Sequence, residues 1–526
     1  MAGEKMSSLD KDTVLLLNKG KCGLFHLAFG RTAVIIVLLA LQVALLFFGF
    51  FRLGKYIYYG GSMLLSLVVA LMVVNKPGNP AGKITWILLI MLFPVFAALF
   101  YLYVETELGH RLAKRRLEEI AAQTASFAPP RPEMLQRLRE RDPGLAGLAA
   151  YMERSGGWSA YENSNAAYLP IGEAALEAIL AQLEGAESFI FLEYFIVEEG
   201  YMWGRILSVL ERKALEGVEV RVMYDGTCAV GRLPYQYPKK LEKLGIRCKM
   251  YAPLRPLVST HYNNRDHRKI LVVDGRAAFT GGINLADEYI NRKTLHGHWK
   301  DTAVMVTGEA VRSFTLMFLQ MWNVSAWEDE DYARYLDASV PAEGAGWVIP
   351  YGDSPFHREN MGEMVYMDIL NRATEYVHIM TPYLIIDHEM ATALTFAAKR
   401  GVDVKLIVPS QPDKRAVFAV TKSYYRGLIE GGVQIYEYTP GFIHAKSFVS
   451  DGDTAVVGSI NLDYRSLYLH FECAALFYGA PVVGAVEADF QQTLGKCQRM
   501  TVESCRHDRL GRRLLGWLLR PLAPLM

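Results

Sequence analysis

Two short segments of the chain carry residue types that suit displacement chemistry at a phosphodiester. Each segment has the pattern His-x-Lys-x-x-x-x-Asp, followed ten residues after the Asp by an Asn. The two sets, which we call the first and second cassettes, are His267, Lys269, Asp274 and Asn284, and His444, Lys446, Asp451 and Asn461. Subtracting 267 from 444 gives 177, and the other three pairs have the same separation. The repetition in register predicts a chain with two matching halves.

A phosphodiester is a poor electrophile because its anionic oxygens repel nucleophiles. The two Lys and two Asn would bind the non-bridging oxygens and stabilise the charge of the transition state. One neutral imidazole would attack phosphorus to form a phospho-histidine, and the other would protonate the leaving alcohol and deprotonate the incoming one. Histidine suits both roles because its pKa lies near neutrality. A lone copy would be a weak motif, whereas two copies at a constant offset are poorly explained by chance.

Metal catalysis is the rival mechanism for such a reaction. It would require several His and carboxylate ligands per site, whereas each cassette offers one imidazole followed by a cation that repels a metal. The chain also has no Walker-type Gly-Lys-Ser/Thr sequence, so ATP is not implicated. We therefore expect no metal and no cofactor.

Hairpins are the elements that would position the cassettes. The runs that read as short strands on either side of an Asp-Gly turn are 269–274 and 277–280, and 446–451 and 454–457. Because side chains alternate along a strand, the His and Lys of each cassette share a face, and folding back brings the Asn near them. Asp274 and Asp451 are candidate catalytic residues by motif, but their place at the turn favours turn formation. Downstream, Asp301 and Glu472 could orient the histidines by accepting a ring N–H, or could be solvated or strand-end acids.

Strand-like runs alternate with amphipathic helices in both halves. The first half predicts a strand at 188–196, a helix at 205–215 and a strand at 218–224. The second half predicts a strand at 376–385, a helix at 388–399, a strand at 402–408 and a helix at 421–430. Glycine at 217 and 401 marks the corresponding ends of the first helix in each half. The pattern predicts an α/β sandwich in each half, with mixed sheets covered by helices.

The composition points to a membrane protein that does not bind nucleic acid. The chain has 526 residues, enough for two or three domains, and 51% of them are hydrophobic. The formal net charge of +1 argues against a nucleic-acid binder, which needs clustered cations to neutralise phosphates. The six cysteines are scattered without metal-ligand spacing, as expected for reduced thiols facing a cytosol.

Three apolar runs near the N-terminus predict two to three transmembrane helices. They are Thr32–Phe51, about 56–74, and 84–104. The first and third hold about 20 residues, the length that crosses a hydrocarbon core of about 30 Å. Basic residues before the first run and at 111–116 both favour the cytoplasm, which three crossings cannot satisfy. The number of crossings therefore stays open, with the catalytic region expected in the cytoplasm.

These observations predict five regions. They are a membrane region at 1–110, a linker at 111–150, the two catalytic domains at 151–335 and 336–505, and a basic amphipathic tail at 506–526. The tail mixes basic and apolar residues at helical spacing, so it could lie on anionic lipid or pack as a helix.

The cassettes and their surroundings resemble the phospholipase D superfamily, and within it the bacterial cardiolipin synthases. The most specific stretches are 264–270, 440–446 and 457–466 with Phe471-Glu472, and the likeness covers essentially the whole chain. One departure is Asp266, directly before His267, where the family pattern leads us to expect Asn. An acid there could raise the pKa of the imidazole or could face outward, as neighbouring strand positions do.

The resemblance implies two phospholipase D-like halves behind a transmembrane region, and transfer of a phosphatidyl group between two phosphatidylglycerol molecules, giving cardiolipin and glycerol. It implies that His267 is the nucleophile and His444 the general acid/base, a choice that the symmetry of the cassettes leaves open. Phosphatidylglycerol and membrane lipids would be the partners, in the cell membrane. The alternatives are a membrane-bound phospholipase D that yields phosphatidic acid, a nuclease, and a lipid scaffold. The sequence does not predict an oligomeric state.

Overall fold

The computed structural model describes residues 55–105, 108–253, 263–324, 330–356 and 359–525, together with residues 40 and 44. Its helices, in chain order, are Lys55–Asn75 (α1), Pro80–Leu92 (α2), Pro94–Glu105 (α3), Leu108–Thr124 (α4), Pro132–Arg141 (α5), Pro143–Gly156 (α6), Gly172–Glu184 (α7), Tyr201–Leu215 (α8), Tyr237–Glu242 (α9), Val311–Val324 (α10), Tyr332–Leu336 (α11), Met361–Arg372 (α12), His388–Lys399 (α13), Arg415–Glu430 (α14), Tyr464–Tyr468 (α15), Val482–Leu494 (α16), Val502–Arg506 (α17) and Leu510–Leu519 (α18).

The strands are Ser164–Leu169 (β1), Phe189–Tyr194 (β2), Glu219–Asp225 (β3), Arg247–Tyr251 (β4), Lys269–Val273 (β5), Ala277–Gly281 (β6), His298–Lys300 (β7), Ala303–Gly308 (β8), Trp347–Asp353 (β9), Tyr376–Met380 (β10), Leu384–Ile385 (β11), Asp403–Pro409 (β12), Gln434–Tyr438 (β13), Gly441–Ile443 (β14), Ser447–Ser450 (β15), Thr454–Gly458 (β16), Leu462–Asp463 (β17), Glu472–Tyr478 (β18) and Cys497–Arg499 (β19).

Each half is built around one mixed sheet. The strand order is β1-β8-β6-β5-β2-β3-β4 in the first half and β19-β13-β12-β10-β15-β16-β18-β9 in the second. The sheets are equivalent at their centres: β2 pairs parallel with β3 and antiparallel with β5, as β10 pairs with β12 and β15. The prediction of two related α/β halves is confirmed.

The cassette hairpins form as the Asp-Gly pairs predict. β5 returns as β6, and β15 returns as β16, both antiparallel. At the first turn Asp274 and Gly275 have φ of 51° and 65°, and at the second Asp451 and Gly452 have φ of 51° and 74°. Two successive left-handed residues are what a tight hairpin turn requires, and Asp followed by Gly tolerates them.

The two halves share a large buried hydrophobic cluster, and one strand of each half pairs with one of the other. Val272 and Phe318 of the first half belong to the same buried cluster as Val456 and Leu476 of the second. In addition, β7 of the first half pairs parallel with β14 of the second. The shared cluster packs the two halves against each other.

The apolar run 84–104, expected as one long helix, is two helices, α2 and α3. The break falls at Phe93 and Pro94, because proline has no N–H to continue the helix and its ring clashes with the preceding turn. Within the described ranges, no helix combines the length and apolarity needed to cross a bilayer. The run 56–74 lies in α1, and Thr32–Phe51 lies outside the described residues. The predicted transmembrane helices are therefore not confirmed.

The segment 111–150, expected as a linker, contributes to the core. Leu138 of α5 and Leu145 of α6 are fully buried in the cluster shared by both halves. The C-terminal helix α18 packs on α14, where Gly516 lies so close to the Ala419 carbonyl that a Cβ would overlap it. The five described cysteines, at 228, 248, 473, 497 and 505, are free thiols.

Candidate active site

The first cassette histidine is fixed by an acid from the second half. His267 lies just before β5, where its backbone N–H donates to the Phe471 carbonyl at 2.9 Å. Glu472 follows Phe471 at the start of β18, and both of its carboxylate oxygens lie 2.9 Å from His267 Nδ1. The Ser459 hydroxyl also donates to this carboxylate. Glu472 is therefore held in place to accept the ring N–H.

The second cassette histidine is fixed in the same way by an acid from the first half. The pairing of β7 with β14 brings the His444 N–H to the Lys300 carbonyl at 2.6 Å. Asp301 is the next residue, and its Oδ2 lies 2.6 Å from His444 Nδ1. A Cβ on Gly282 would overlap the Asp301 carboxylate and the His444 carbonyl, so only glycine fits there. Each half thus supplies the carboxylate for the other half's imidazole.

The contact between each carboxylate and a histidine Nδ1 determines which ring nitrogen can react. A Nδ1 that donates to a carboxylate carries the proton of the neutral ring, and the Nε2 lone pair is left available. The carboxylate also stabilises the imidazolium when the ring takes up a proton. Both rings are therefore prepared to act through Nε2, as a nucleophile or as a base.

The two cassette lysines are buried beside the histidines. Lys269 Nζ donates to the His267 carbonyl at 2.5 Å, and Lys446 Nζ donates to the His444 carbonyl. Lys446 Nζ also lies 2.9 Å from His444 Nδ1, so it flanks the bond between that nitrogen and Asp301. Burial lowers the pKa of Lys269 to about 8 and that of Lys446 to about 7.

The charges of the two halves act on one another. Burial and then the charges of Lys269 and Lys446 lower the pKa of His267 well below its usual value. Burial, Lys446 and Lys269 do the same for His444, so both rings are neutral at pH 7. Burial raises the pKa of Asp301 to about 7. Because the lysine of each half depresses the histidine of the other, the cassettes form one electrostatic site.

The two cassette asparagines have different surroundings. Asn284 accepts the Ile196 N–H at 3.0 Å and donates to the Tyr289 hydroxyl at 2.8 Å. The Tyr289 ring in turn lies 5.5 Å from the ring of His444. Asn461 is buried, and its amide oxygen has no hydrogen-bond partner among the described residues. Asn284 therefore contacts the site through Tyr289, and Asn461 retains polar atoms for a ligand.

The two cassette aspartates contact backbone rather than the histidines. Asp274 accepts the N–H groups of residues 187, 188 and 189 at 2.7–2.8 Å, at the start of β2. Asp451 accepts those of residues 374, 375 and 376 at 2.7–3.0 Å, at the start of β10. These contacts tie each hairpin turn to the adjacent central strand.

Asp266, the departure from the expected Asn, is fully buried and turned toward Arg268. Its Oδ1 lies 3.4 Å from Arg268 Nε, and its own N–H donates to Asp225. The pKa of His267 is lowered, so burial and the nearby lysines outweigh any effect of this acid. Its burial contradicts the outward-facing position considered from the sequence.

Several residues at the site escaped the sequence interpretation. The rings of Phe195 and His470 lie 4.9 and 5.4 Å from that of His267, and Trp299 lies 5.6 Å from His444. Burial lowers the pKa of His470 to about 4. Lys414, exposed at the start of α14, lowers the pKa of both cassette histidines by its charge. The signal available in the sequence for His470 and Trp299 was their position, because each stands two residues before an acid.

One group of side chains in the described chain could hold a metal ion. Ligand atoms of His267, His470 and Glu472 all lie within 4.8 Å of one another. The site as a whole is built from two imidazoles, two buried lysine side chains and two carboxylates.

Comparison with known proteins agrees with this geometry. Residues 179–322 and 366–494 match the family model described as cardiolipin synthase, PLD-like domain. A cardiolipin synthase of Geobacillus kaustophilus is 33% identical over 94% of this chain and 99% of its own. The chain belongs to the phospholipase D-like cardiolipin synthase family. An uncharacterized protein of Streptococcus mutans is 50% identical over 87% of this chain and 99% of its own.

A solved structure supports the fold of this family member. The phosphatidylserine synthase of Haemophilus influenzae superposes with a TM-score of 0.55 at 14% identity, covering 72% of this chain and 97% of that one. Similarity at that identity concerns the fold alone.

Proposed function

We propose that the protein is a cardiolipin synthase that transfers a phosphatidyl group from one phosphatidylglycerol to another, releasing glycerol. The observation that carries the proposal is the exchange of carboxylates, which holds two imidazoles with free Nε2 atoms beside two buried lysines. Membership of the family supplies the substrate class.

The Nε2 lone pair of His267 attacks phosphorus, and the P–O bond to glycerol breaks as the P–N bond forms. The leaving oxygen takes a proton from His444. In the second step His444 takes the proton from the hydroxyl of the acceptor lipid, whose oxygen displaces His267 and gives cardiolipin. The choice of His267 as nucleophile rests on the family resemblance.

The negative charge of the substrate favours the protonated form of His444, which takes up its proton from solvent. The ring is neutral in the free protein because burial and the lysines lower its pKa. A phosphodiester anion between the cassettes opposes that effect and favours the imidazolium. The lysines and Asn461 bind its non-bridging oxygens and stabilise the charge that develops in the transition state. The catalytic acid is therefore charged when substrate is present.

Transfer is favoured over hydrolysis by the burial of the site. His267 and His444 are each only 7% exposed, which limits the access of water to the phospho-histidine. Exchange of one phosphodiester for another is nearly isoenergetic, so the reaction needs no nucleotide. Asp274 and Asp451 act in this scheme by fixing the hairpins.

A membrane location suits a lipid acceptor, and exposed apolar side chains support it. In α18 these include Leu510, Leu514 and Trp517, next to a cluster of arginines at 509, 512 and 513. The Thr85 hydroxyl of α2 donates to the Pro521 carbonyl at 2.6 Å, which joins the C-terminal tail to the N-terminal helices. We propose that these elements hold the two catalytic domains, 151–335 and 336–505, at the cytoplasmic face of a multi-pass region within 1–110.

The test is incubation of the purified protein with phosphatidylglycerol in detergent, without nucleotide. We expect cardiolipin and free glycerol in equal amounts, and loss of both with His267→Ala or His444→Ala. His507→Ala, which changes an exposed histidine, is the control and should keep wild-type turnover. Phosphatidic acid as the main product would favour a hydrolase, and turnover retained in either cassette variant would exclude the two-histidine mechanism.

A further inference from the structure

The two half-sites differ in the ring that stands two residues before the acid that contacts the cassette histidine. His470 stands two residues before Glu472, and its ring lies 5.4 Å from that of His267 with an angle of 40° between their planes. Trp299 stands two residues before Asp301, and its ring lies 5.6 Å from that of His444 at 44°. The position two residues before the acid therefore carries an imidazole next to His267 and an indole next to His444.

The His470 side chain is more than nine-tenths buried. Neither of its ring nitrogens hydrogen-bonds to any described residue. Its Nδ1 lies 3.7 Å from Glu472 Oε1, which is beyond hydrogen-bond distance. A buried polar group without a hydrogen bond destabilises the fold. Retention of this ring in the core therefore indicates a ligand that would pair with it.

The neighbouring polar atoms identify the class of ligand. His267, His470 and Glu472 present ligand atoms that all lie within 4.8 Å of one another. Two imidazoles and one carboxylate are a common zinc ligand set, with bonds of about 2.0–2.2 Å that place tetrahedral ligand atoms about 3.3 Å apart. The observed separations from Glu472, 2.9 Å to His267 and 3.7 Å to His470, lie on either side of that value.

We propose that His267, His470 and Glu472 form an inhibitory binding site for a zinc-class divalent cation. Coordination through Nδ1 uses the lone pair of that nitrogen, so the neutral His267 ring must carry its proton on Nε2. The Nε2 atom then has no lone pair with which to attack phosphorus. The proton moves between the two nitrogens of one ring, and no electron is transferred. Inhibition, unlike binding, rests on the function proposed above.

The neighbouring charges and the types of ligand atom determine which cations the site can bind. Lys269 and Lys446 lie in the same site and repel any cation, so charge attraction alone cannot hold one. Imidazole nitrogen favours zinc, copper and nickel, whereas magnesium and calcium require oxygen ligands. The site should therefore bind Zn²⁺ and ignore Mg²⁺.

The binding test uses the full-length protein, stripped of metal by a chelator and titrated with Zn²⁺ against a chromophoric competitor. We expect one equivalent bound by the wild type, and an affinity lower by about tenfold or more in His470→Gln and in His470→Asn. His507→Gln, the same change at an exposed histidine, should bind as the wild type does. The two His470 variants are run in parallel, and the comparison uses whichever melts like the wild type. No bound zinc in the wild type, or unchanged affinity in a folded His470 variant, overturns the proposal.

The activity test separates this site from the proposed function. Zn²⁺ should inhibit cardiolipin formation by the wild type, a chelator should restore it, and the folded His470 variant should need about tenfold more zinc for the same inhibition. A wild type that makes no cardiolipin without zinc refutes the proposed function, while zinc binding is still measured directly. A wild type that makes cardiolipin and neither binds zinc nor is inhibited by it refutes only the zinc site.

Discussion

Replacing Asp301 with Asn isolates the effect of its carboxylate on His444. The side chain keeps its size but loses its charge. A hydrogen bond to a charged group contributes about 1.5–3 kcal/mol, so losing it from the imidazolium slows the reaction roughly 10- to 150-fold at about 1.36 kcal/mol per decade. An amide that donates to Nδ1 also moves the ring proton to Nε2, which adds to the loss. We expect the kcat of Asp301→Asn to fall by at least about 100-fold.

The pH dependence gives a second readout for the same variant. Burial raises the pKa of Asp301 to about 7, so the carboxyl is ionised above that pH and protonated below it. Wild-type activity should therefore decline as the pH falls through about 7, because a protonated carboxyl cannot stabilise the imidazolium. Asp301→Asn has no titrating group at this position and should lack that limb. Initial rates of cardiolipin formation in detergent, measured from about pH 5 to about pH 9, test both expectations.

A matched control separates chemistry from folding. Asp287 accepts the N–H groups of Tyr201 and Met202 at 3.0 and 2.8 Å, at the start of α8. Asp287→Asn makes the same chemical change in the same half, and it should cost about 1 kcal/mol of stability with little effect on kcat. If Asp301→Asn melts like the wild type and keeps its kcat within about threefold, the assigned role of this carboxylate is wrong.

Three further predictions follow from the site. Lys414→Gln removes a charge that lowers the pKa of both cassette histidines, so the basic limb of the pH–rate profile, where His444 loses its proton, should move to higher pH; an unmoved limb would contradict the coupling. Asp274→Ala removes the acceptor of three backbone N–H groups and should destabilise the protein by about 3 kcal/mol in thermal denaturation, while folded enzyme keeps its kcat; a tenfold lower kcat would give this Asp a chemical role. Gly282→Ala should lower kcat because its Cβ overlaps the Asp301 carboxylate, whereas Gly147→Ala, with no atom within 4 Å, should not.

Local patterns predicted much of the secondary structure. The helix expected at 388–399 forms over that range, and both cassette hairpins turn at their Asp-Gly pairs. The helix expected at 421–430 begins six residues earlier, at Arg415, because the first turns are packed against the protein and lack a clear starting signal. The single helix expected at 84–104 was wrong because the effect of Pro94 was given too little weight against the apolar run.

The sequence predicted which residues form the site, but not which residues contact one another in it. The spacing of the cassettes selected the histidines and lysines, and it drew attention to Asp301 and Glu472 as possible partners. It could not show that each acid contacts the histidine of the opposite half, because that depends on two contacts between distant segments, the pairing of β7 with β14 and the bridge between Asp266 and Phe471. His470 was missed for the same reason, since its contact with His267 exists only in the folded chain.

The crossing of β7 onto β14, and of residue 471 onto 266, has a consequence for ancestry. Neither half on its own would contain a histidine together with the carboxylate that contacts it. A protein made of one half would therefore have complete pairs only if two copies associated. Fusion of the two copies into one chain would keep that association and would allow the sequences of the two halves to diverge. The imidazole at 470 and the indole at 299 are one such difference between the halves.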